Sequence, residues 1–180
     1  MIRLTPTITL YNRGDWGARG WRDYVPQRLE GEAFLHHTTD RLAEHVDTLP
    51  EQIAACRAIQ RYHMDMKGWD DIAYHFIVFQ PYGDRQYARI FEGRPTTHVP
   101  AAQQGHNVGT LAIVVYGNFD HDDSVKRNTR HAIETLLSRY PQLKKLGGHR
   151  DAPGQSTECP GDTLYAKIPT IARAVGLKHF

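Results

Sequence analysis

The amino-acid sequence predicts an α/β fold, a single domain with a mixed central β-sheet flanked by helices. Short runs of β-branched and aromatic residues alternate with stretches of helical period, so strands and helices intermix along the chain. At 180 residues the chain suits one compact core, and no composition break marks a second domain. No internal repeat or low-complexity tract is visible, which leaves 1–180 as one unit with an irregular arm over 1–31 and a core over 32–175.

The arm carries Gly, Pro and Arg without sustained periodicity, and Trp16, Trp21 and Tyr24 are expected to pack it down. The apolar run 33–37, ending in Thr38-Thr39-Asp40, predicts an interior strand opening into a loop. Over 50–66, Ile53, Cys56, Ile59, Gln60 and His63 recur at helical spacing, with Pro50 at the start and Gly68 past the end. A strand over 72–79, a turn at Pro81-Tyr82-Gly83-Asp84 and a strand over 86–91 predict a hairpin. A buried strand follows over 111–116, a helix over 127–140, a short strand over 146–149, and a closing helix over 163–175 capped by Asp162.

Charge and composition exclude several classes. The 22 basic and 20 acidic residues are scattered and net only +2, so no nucleic-acid surface is expected, although a mildly basic face suits a polyanionic substrate. The N-terminus lacks the apolar run of a signal peptide, and no segment approaches the ~20 apolar residues of a membrane helix. The expectation is a soluble monomer made in the cytoplasm, with no membrane partner. Cys56 and Cys159 are too few for a disulfide framework, and Cys56 is expected in the core.

The chemistry-bearing residues are His36-His37-Thr38 at the end of the first core strand, Gly148-His149-Arg150-Asp151, and Glu158-Cys159-Pro160-Gly161. His and Cys distributed this way can hold a metal, and three such ligands leave tetrahedral Zn²⁺ an open position, the mark of a catalytic site. Successive strand side chains point to opposite faces, so only one of His36 and His37 readily reaches a given metal. Cys159, just before the last helix, is expected to be a thiolate favoured by amide donors and the helix dipole. Zinc on His36, His149 and Cys159 would acidify water towards about pKa 7 and polarise a carbonyl, the two needs of amide hydrolysis. The same residues in isolation also read as ordinary core residues, or as a Cys159 nucleophile with His149 as its base.

These blocks occur in order with Trp16-Gly17-Ala18, the run from Gln60 to His63, the run from Gly68 to Phe76 containing Asp71-Ile72-Ala73-Tyr74, then Glu92-Gly93-Arg94 and Gly117-Asn118-Phe119. Together they resemble the type-2 N-acetylmuramoyl-L-alanine amidases, the family of peptidoglycan recognition proteins and phage lysozyme-type amidases. The resemblance implies one zinc ion per chain on His36, His149 and Cys159, with His37 spared. It implies that Tyr74 positions or deprotonates the attacking water and that Thr157 stabilises the oxyanion. It also suggests His63, His75, Arg94, His106 and Asn107 as substrate-groove residues. The loop between His149 and Cys159 is longer than the usual family loop, and residues 100–104 look like an insertion. The implied activity is zinc-dependent hydrolysis of the bond between N-acetylmuramic acid and L-alanine in bacterial peptidoglycan, with the wall or its muropeptides as partner. The expected setting is a phage endolysin released at host lysis; the alternatives are a cytoplasmic muropeptide-recycling amidase or a non-catalytic peptidoglycan-binding module.

Overall fold

The computed structural model describes residues 1–39, 46–81, 87–120 and 124–180. The strands are β1 (Ile2–Thr5), β2 (Ile8–Tyr11), β3 (Glu32–His37), β4 (Phe76–Phe79), β5 (Ala88–Glu92), β6 (Thr110–Tyr116), β7 (Lys145–Gly148) and β8 (Lys178–His179). The α-helices are α1 (Leu49–Arg61), α2 (Arg127–Leu137), α3 (Asp162–Tyr165) and α4 (Ile168–Ala174). All eight strands join one sheet in the order β1-β2-β5-β4-β6-β3-β7-β8. The pairings are parallel except β1 with β2 and β4 with β5, so the predicted mixed sheet is observed. Among the described residues no helix is long and apolar enough to cross a membrane.

Central position explains the sequences of β3 and β6. Both are covered on two faces, so they read as continuous apolar runs rather than alternating ones. One face packs Leu35, Val78, Ile113 and Val115 against Ile133, Leu136 and Ile171 of α2 and α4. The other packs Ile77, Phe79, Phe91 and Val114 against Trp16 and Cys56, the latter from α1. Cys56 is fully buried, as expected. A capping box starts α1: the Thr48 hydroxyl accepts from the Glu51 amide, and the Glu51 carboxylate accepts from the Thr48 amide.

Several expectations need correction. The arm is not irregular throughout: β1 and β2 form an antiparallel pair, and β2 lies beside β5 with Ile8 and Leu10 in the core. Trp16 is buried, with its indole donating to Glu92 O, but Trp21 and Tyr24 remain exposed beside His98. The helix expected over 50–66 stays α-helical to Arg61 and widens to a π turn over Tyr62–Met66. The strand expected from 72 starts at Phe76, and most of the predicted hairpin turn, 82–84, lies outside the described residues. The helix expected to 140 ends at Leu137. The closing helix is two short ones, because Pro169 lacks an amide donor and cannot continue α3; Gly161, not Asp162, is the N-cap.

The segment 71–75 lies outside the strands, and polar side chains add to its backbone hydrogen bonds with Gly93, Arg94, Ala101 and Ala112. Buried Asp71 accepts from Arg13 at 2.7 Å, Gln60 at 2.6 Å and the Ile72 amide at 2.8 Å. Removing one member of a buried ion pair strands the other, which typically costs 3–5 kcal/mol. Asp71→Ala is therefore expected to lower stability by about 3 kcal/mol or more, measured by urea unfolding; a change below about 1 kcal/mol would mean that the Arg13 pair does not hold the segment.

Candidate metal centre and its clefts

Register brings the first two candidate ligands together. The parallel pairing of β3 with β7 runs to Leu35 opposite Gly148, so the next residues, His36 and His149, emerge side by side at the carboxyl ends of their strands. Two glycines then let Cys159 return. A Cβ on Gly148 would stand 2.5 Å from Pro160 Cδ, and one on Gly161 would stand 2.3 Å from the Phe119 carbonyl carbon. Gly161 also has φ +84°, a region that favours glycine. Arg150 ties the loop down: its amide donates to Cys159 O, and its guanidinium donates to Glu158 O and Asp162.

One ligand atom from each of His36, His149 and Cys159 lies within 4.8 Å of the other two. His36 Nδ1 is 3.8 Å from Cys159 Sγ, and the two imidazole centroids are 4.7 Å apart. His36 Nε2 is buried without a hydrogen-bond partner. Burial holds both imidazoles below their ordinary pKa, and for His36 the neighbouring His149 adds to the effect. They are thus neutral, as metal ligands must be.

Cys159 departs from expectation: burial pushes its thiol up to about 12, against a hydrogen bond from the His37 amide and the Arg150 charge. The four-residue α3 does not offset this desolvation. An arriving cation must displace the thiol proton, so metal binding there releases a proton.

A cleft of about 670 Å³ opens on one side of the triad, lined by Cys159, Thr157, Tyr74, His63, His37 and Asp120 opposite Ala55, Ala58, Ile59 and Tyr62 of the α1 region. The Tyr74 ring lies 5.3 Å from that of His36 and 5.8 Å from that of His63. Burial and Cys159 raise the Tyr74 pKa, so the phenol keeps its proton and acts as a donor. Thr157 Oγ1 accepts from the Cys159 amide at 3.1 Å, leaving the hydroxyl proton free to donate. His63 Nδ1 accepts from the Ala73 amide at 3.2 Å, so its Nε2 carries the proton; burial depresses its pKa to about 4.

A second cavity of about 580 Å³ lies on the His149 side, lined by Trp69, Ala101, Ala102, Gln104, Asn107 and Gln155. Asn107 therefore lines a cavity, but its Oδ1 is taken by the Ala102 and Gln103 amides.

The other groove candidates lie outside these two cavities, His75 and Arg94 lining a smaller one of about 250 Å³ with Arg13 and Glu92. His75 is fully buried, accepting from the Ala112 amide at Nδ1 and meeting His98 O at Nε2. Arg94 spends its donors on the carbonyls of Ile72, Val99 and Asp71. His106 is paired with Glu32 at 2.8 Å. Each of these three side chains is engaged by the fold, away from the two cavities beside the triad.

Sequence reasoning set His37 aside, and it is indeed outside the triad. It nevertheless lines the larger cleft, with Nδ1 accepting from the Phe119 amide and Nε2 3.9 Å from Asp120. Gln103 and Gln155, beside the two ligand histidines, escaped notice because glutamine carries no motif.

No family model matches the chain. Peptidoglycan-recognition protein SC1a of Drosophila melanogaster is 29% identical over 169 residues, covering 89% of this chain and 84% of that protein. The N-acetylmuramoyl-L-alanine amidase of Homo sapiens is 31% identical over 170 residues, covering 89% of this chain but 28% of that longer protein. Among solved structures, human PGRP-IBETAC in complex with glycosamyl muramyl pentapeptide superposes with a TM-score of 0.75 at 25% identity, covering 92% of this chain and 96% of that one. The chain is a homologue of the peptidoglycan-recognition proteins and N-acetylmuramoyl-L-alanine amidases. The sheet that positions the triad is thus the peptidoglycan-recognition fold.

Two buried histidines set an acid limit on this fold. His63 and His75 are each lowered to about 4 by burial, below the ordinary value of 6.5. The unfolded chain therefore binds more protons than the folded one between these values, and stability rises with pH across that window. Metal-free protein is expected to keep this stability above about pH 6.5 and to lose up to about 3 kcal/mol per histidine as pH falls through 4. Urea midpoints across pH 4–7 measure this; a flat profile would mean that neither ring is held neutral.

Proposed function

We propose that this chain is a zinc-dependent N-acetylmuramoyl-L-alanine amidase, hydrolysing the amide between the lactyl group of N-acetylmuramic acid and L-alanine in bacterial peptidoglycan. The observation that carries this reading is the convergence of His36, His149 and Cys159 within 4.8 Å, beside Tyr74 and at the wall of an open cleft. Zinc bonds of about 2.0–2.3 Å at tetrahedral angles separate ligand atoms by about 3.5 Å, close to the 3.8 Å between His36 Nδ1 and Cys159 Sγ. Two imidazoles and a thiolate also match zinc's preference for nitrogen and sulfur donors. The amidase name of the mammalian relative and the muramyl pentapeptide bound by the human neighbour support the substrate class.

When bound, zinc supplies a Lewis acid that polarises the scissile carbonyl and acidifies water, while its fourth position stays open to substrate. The chain's own residues do the rest. The protonated Tyr74 phenol orients the attacking water by hydrogen bonding, a positioning role that its raised pKa favours over that of a base. The Thr157 hydroxyl donates to the carbonyl oxygen as it gains negative charge. Neutral His63 offers its Nε2 proton to a substrate carbonyl, and Ala55, Ala58, Ile59 and Tyr62 give the stem peptide an apolar wall. Water adds oxygen to the carbonyl carbon as the carbon–nitrogen bond breaks, and its proton passes to the departing L-alanine amine while Tyr74 holds the water in place.

Removal of metal with a chelator is expected to abolish release of L-alanine amino groups from purified peptidoglycan, and added zinc to restore it. Metal-free protein that still cleaves at the normal rate would overturn the proposal. Tyr74→Phe is expected to lower kcat about 100-fold with little change in KM. Binding of muropeptide by zinc-loaded protein with no release of product would instead identify a recognition module.

A further inference from the structure

Two glutamines stand behind the two candidate histidine ligands, and their hydrogen bonds fix which way each amide points. Gln155 Nε2 is 2.7 Å from Gln104 O, which can only accept, so this end of the carboxamide is the NH₂ group. Its Oε1 therefore faces His149 Nε2, 3.0 Å away. An amide oxygen can only accept, so the proton of the neutral imidazole sits on Nε2 and the lone pair on Nδ1.

Gln103, on the neighbouring loop, also has its amide direction fixed. Thr110 donates its hydroxyl proton to Asn107 O at 2.7 Å, so its Oγ1 accepts from Gln103 Nε2 at 3.2 Å. The same nitrogen donates to His106 O at 3.3 Å. That leaves Gln103 Oε1 buried without a hydrogen-bond partner, and His36 Nε2 is buried in the same condition. His36 Nδ1 is the atom that lies 3.8 Å from Cys159 Sγ. Both glutamines depend on residues 100–107, which Asn107 Oδ1 stiffens by accepting from the Ala102 and Gln103 amides. The Ala101 amide donates to Ala73 O, linking the same loop to the Tyr74 segment.

We propose that Gln155 is a positioning residue for the metal, presenting its amide oxygen to the Nε2 proton of His149 so that Nδ1 faces the ion. Partners behind a ligand histidine set its tautomer and ring orientation and raise its basicity. Here the partner comes from the long loop before Cys159 and is itself held by Gln104 O, so residues 100–107 also serve the metal centre. The inference rests on the zinc reading above.

Zinc competition against a chromophoric chelator, performed on the full chain, tests it without reference to activity. Gln155→Ala is expected to bind zinc about 10–100-fold more weakly with an unchanged unfolding midpoint in the metal-free form. Gln155→Glu keeps the acceptor and is expected to recover most of the loss. Nitrogen-15 NMR of metal-free parent protein is expected to show His149 as the Nε2–H tautomer, a readout that stands even if the alanine variant fails to fold. Parental zinc affinity in Gln155→Ala, or an Nδ1–H tautomer at His149, would overturn the inference and leave the amidase reading intact. A parent chain that binds no zinc would overturn both.

Discussion

The parallel pairing of β3 with β7 is the constraint on which the site depends. Because it ends at Leu35 opposite Gly148, the two strands deliver His36 and His149 to one point at the edge of a sheet too tightly packed to shift. A slip of one residue along β3 would turn His36 to the opposite face and bring in His37, whose ring instead caps the Phe119 amide. The third donor depends on the same place. Gly148 admits Pro160 against β7, and Gly161 admits the following turn against Phe119.

Around this fixed edge, buried polar side chains organise the irregular segments together with scattered backbone hydrogen bonds. Asp71, Arg94, His63 and His75 each satisfy backbone groups between Asp71 and Ala112, and Tyr74 sits in the middle of that clamp. A phenol held this way loses little freedom when it meets substrate, which is how positioning lowers a barrier. The arrangement also explains why residues with strong hydrogen-bonding capacity turn out to be structural. A loop without strand partners must find donors and acceptors elsewhere, and buried His and Arg supply them.

Much of this was legible in the sequence. His and Cys are chemically distinctive, so the triad stood out; alternation along the strand said that only one of His36 and His37 reaches it, and the family resemblance pointed to His36, which the structure places beside His149 and Cys159. Continuous apolar runs revealed β3 and β6 for the same physical reason that they are central. The β1–β2 pair was hidden because a four-residue alternation beside Pro6 is submerged in a stretch rich in Gly, Pro and Arg. His75, Arg94 and His106 illustrate a different limit. Residue type announces a donor, but only tertiary structure reveals whether the fold has already used it. Gln103 and Gln155 are the converse, ordinary residues made significant by the direction in which their amides point.

Electrostatics connects these observations to function. Without a cation the centre gathers two neutral imidazoles and a thiol whose pKa is pushed up to about 12, all drawn out of water with few partners. Ordinary cores avoid unpartnered polar atoms, because each such group costs about 1–3 kcal/mol. The same desolvation would strengthen attraction to a divalent cation, which on the proposed reading would take one lone pair from each imidazole and displace the thiol proton. Neutral Tyr74, Thr157 and His63 line the cleft with protons to donate and no positive charge. On the proposed reading, the metal would thus be the one concentrated positive charge, where a carbonyl oxygen becoming an oxyanion would gain most from it.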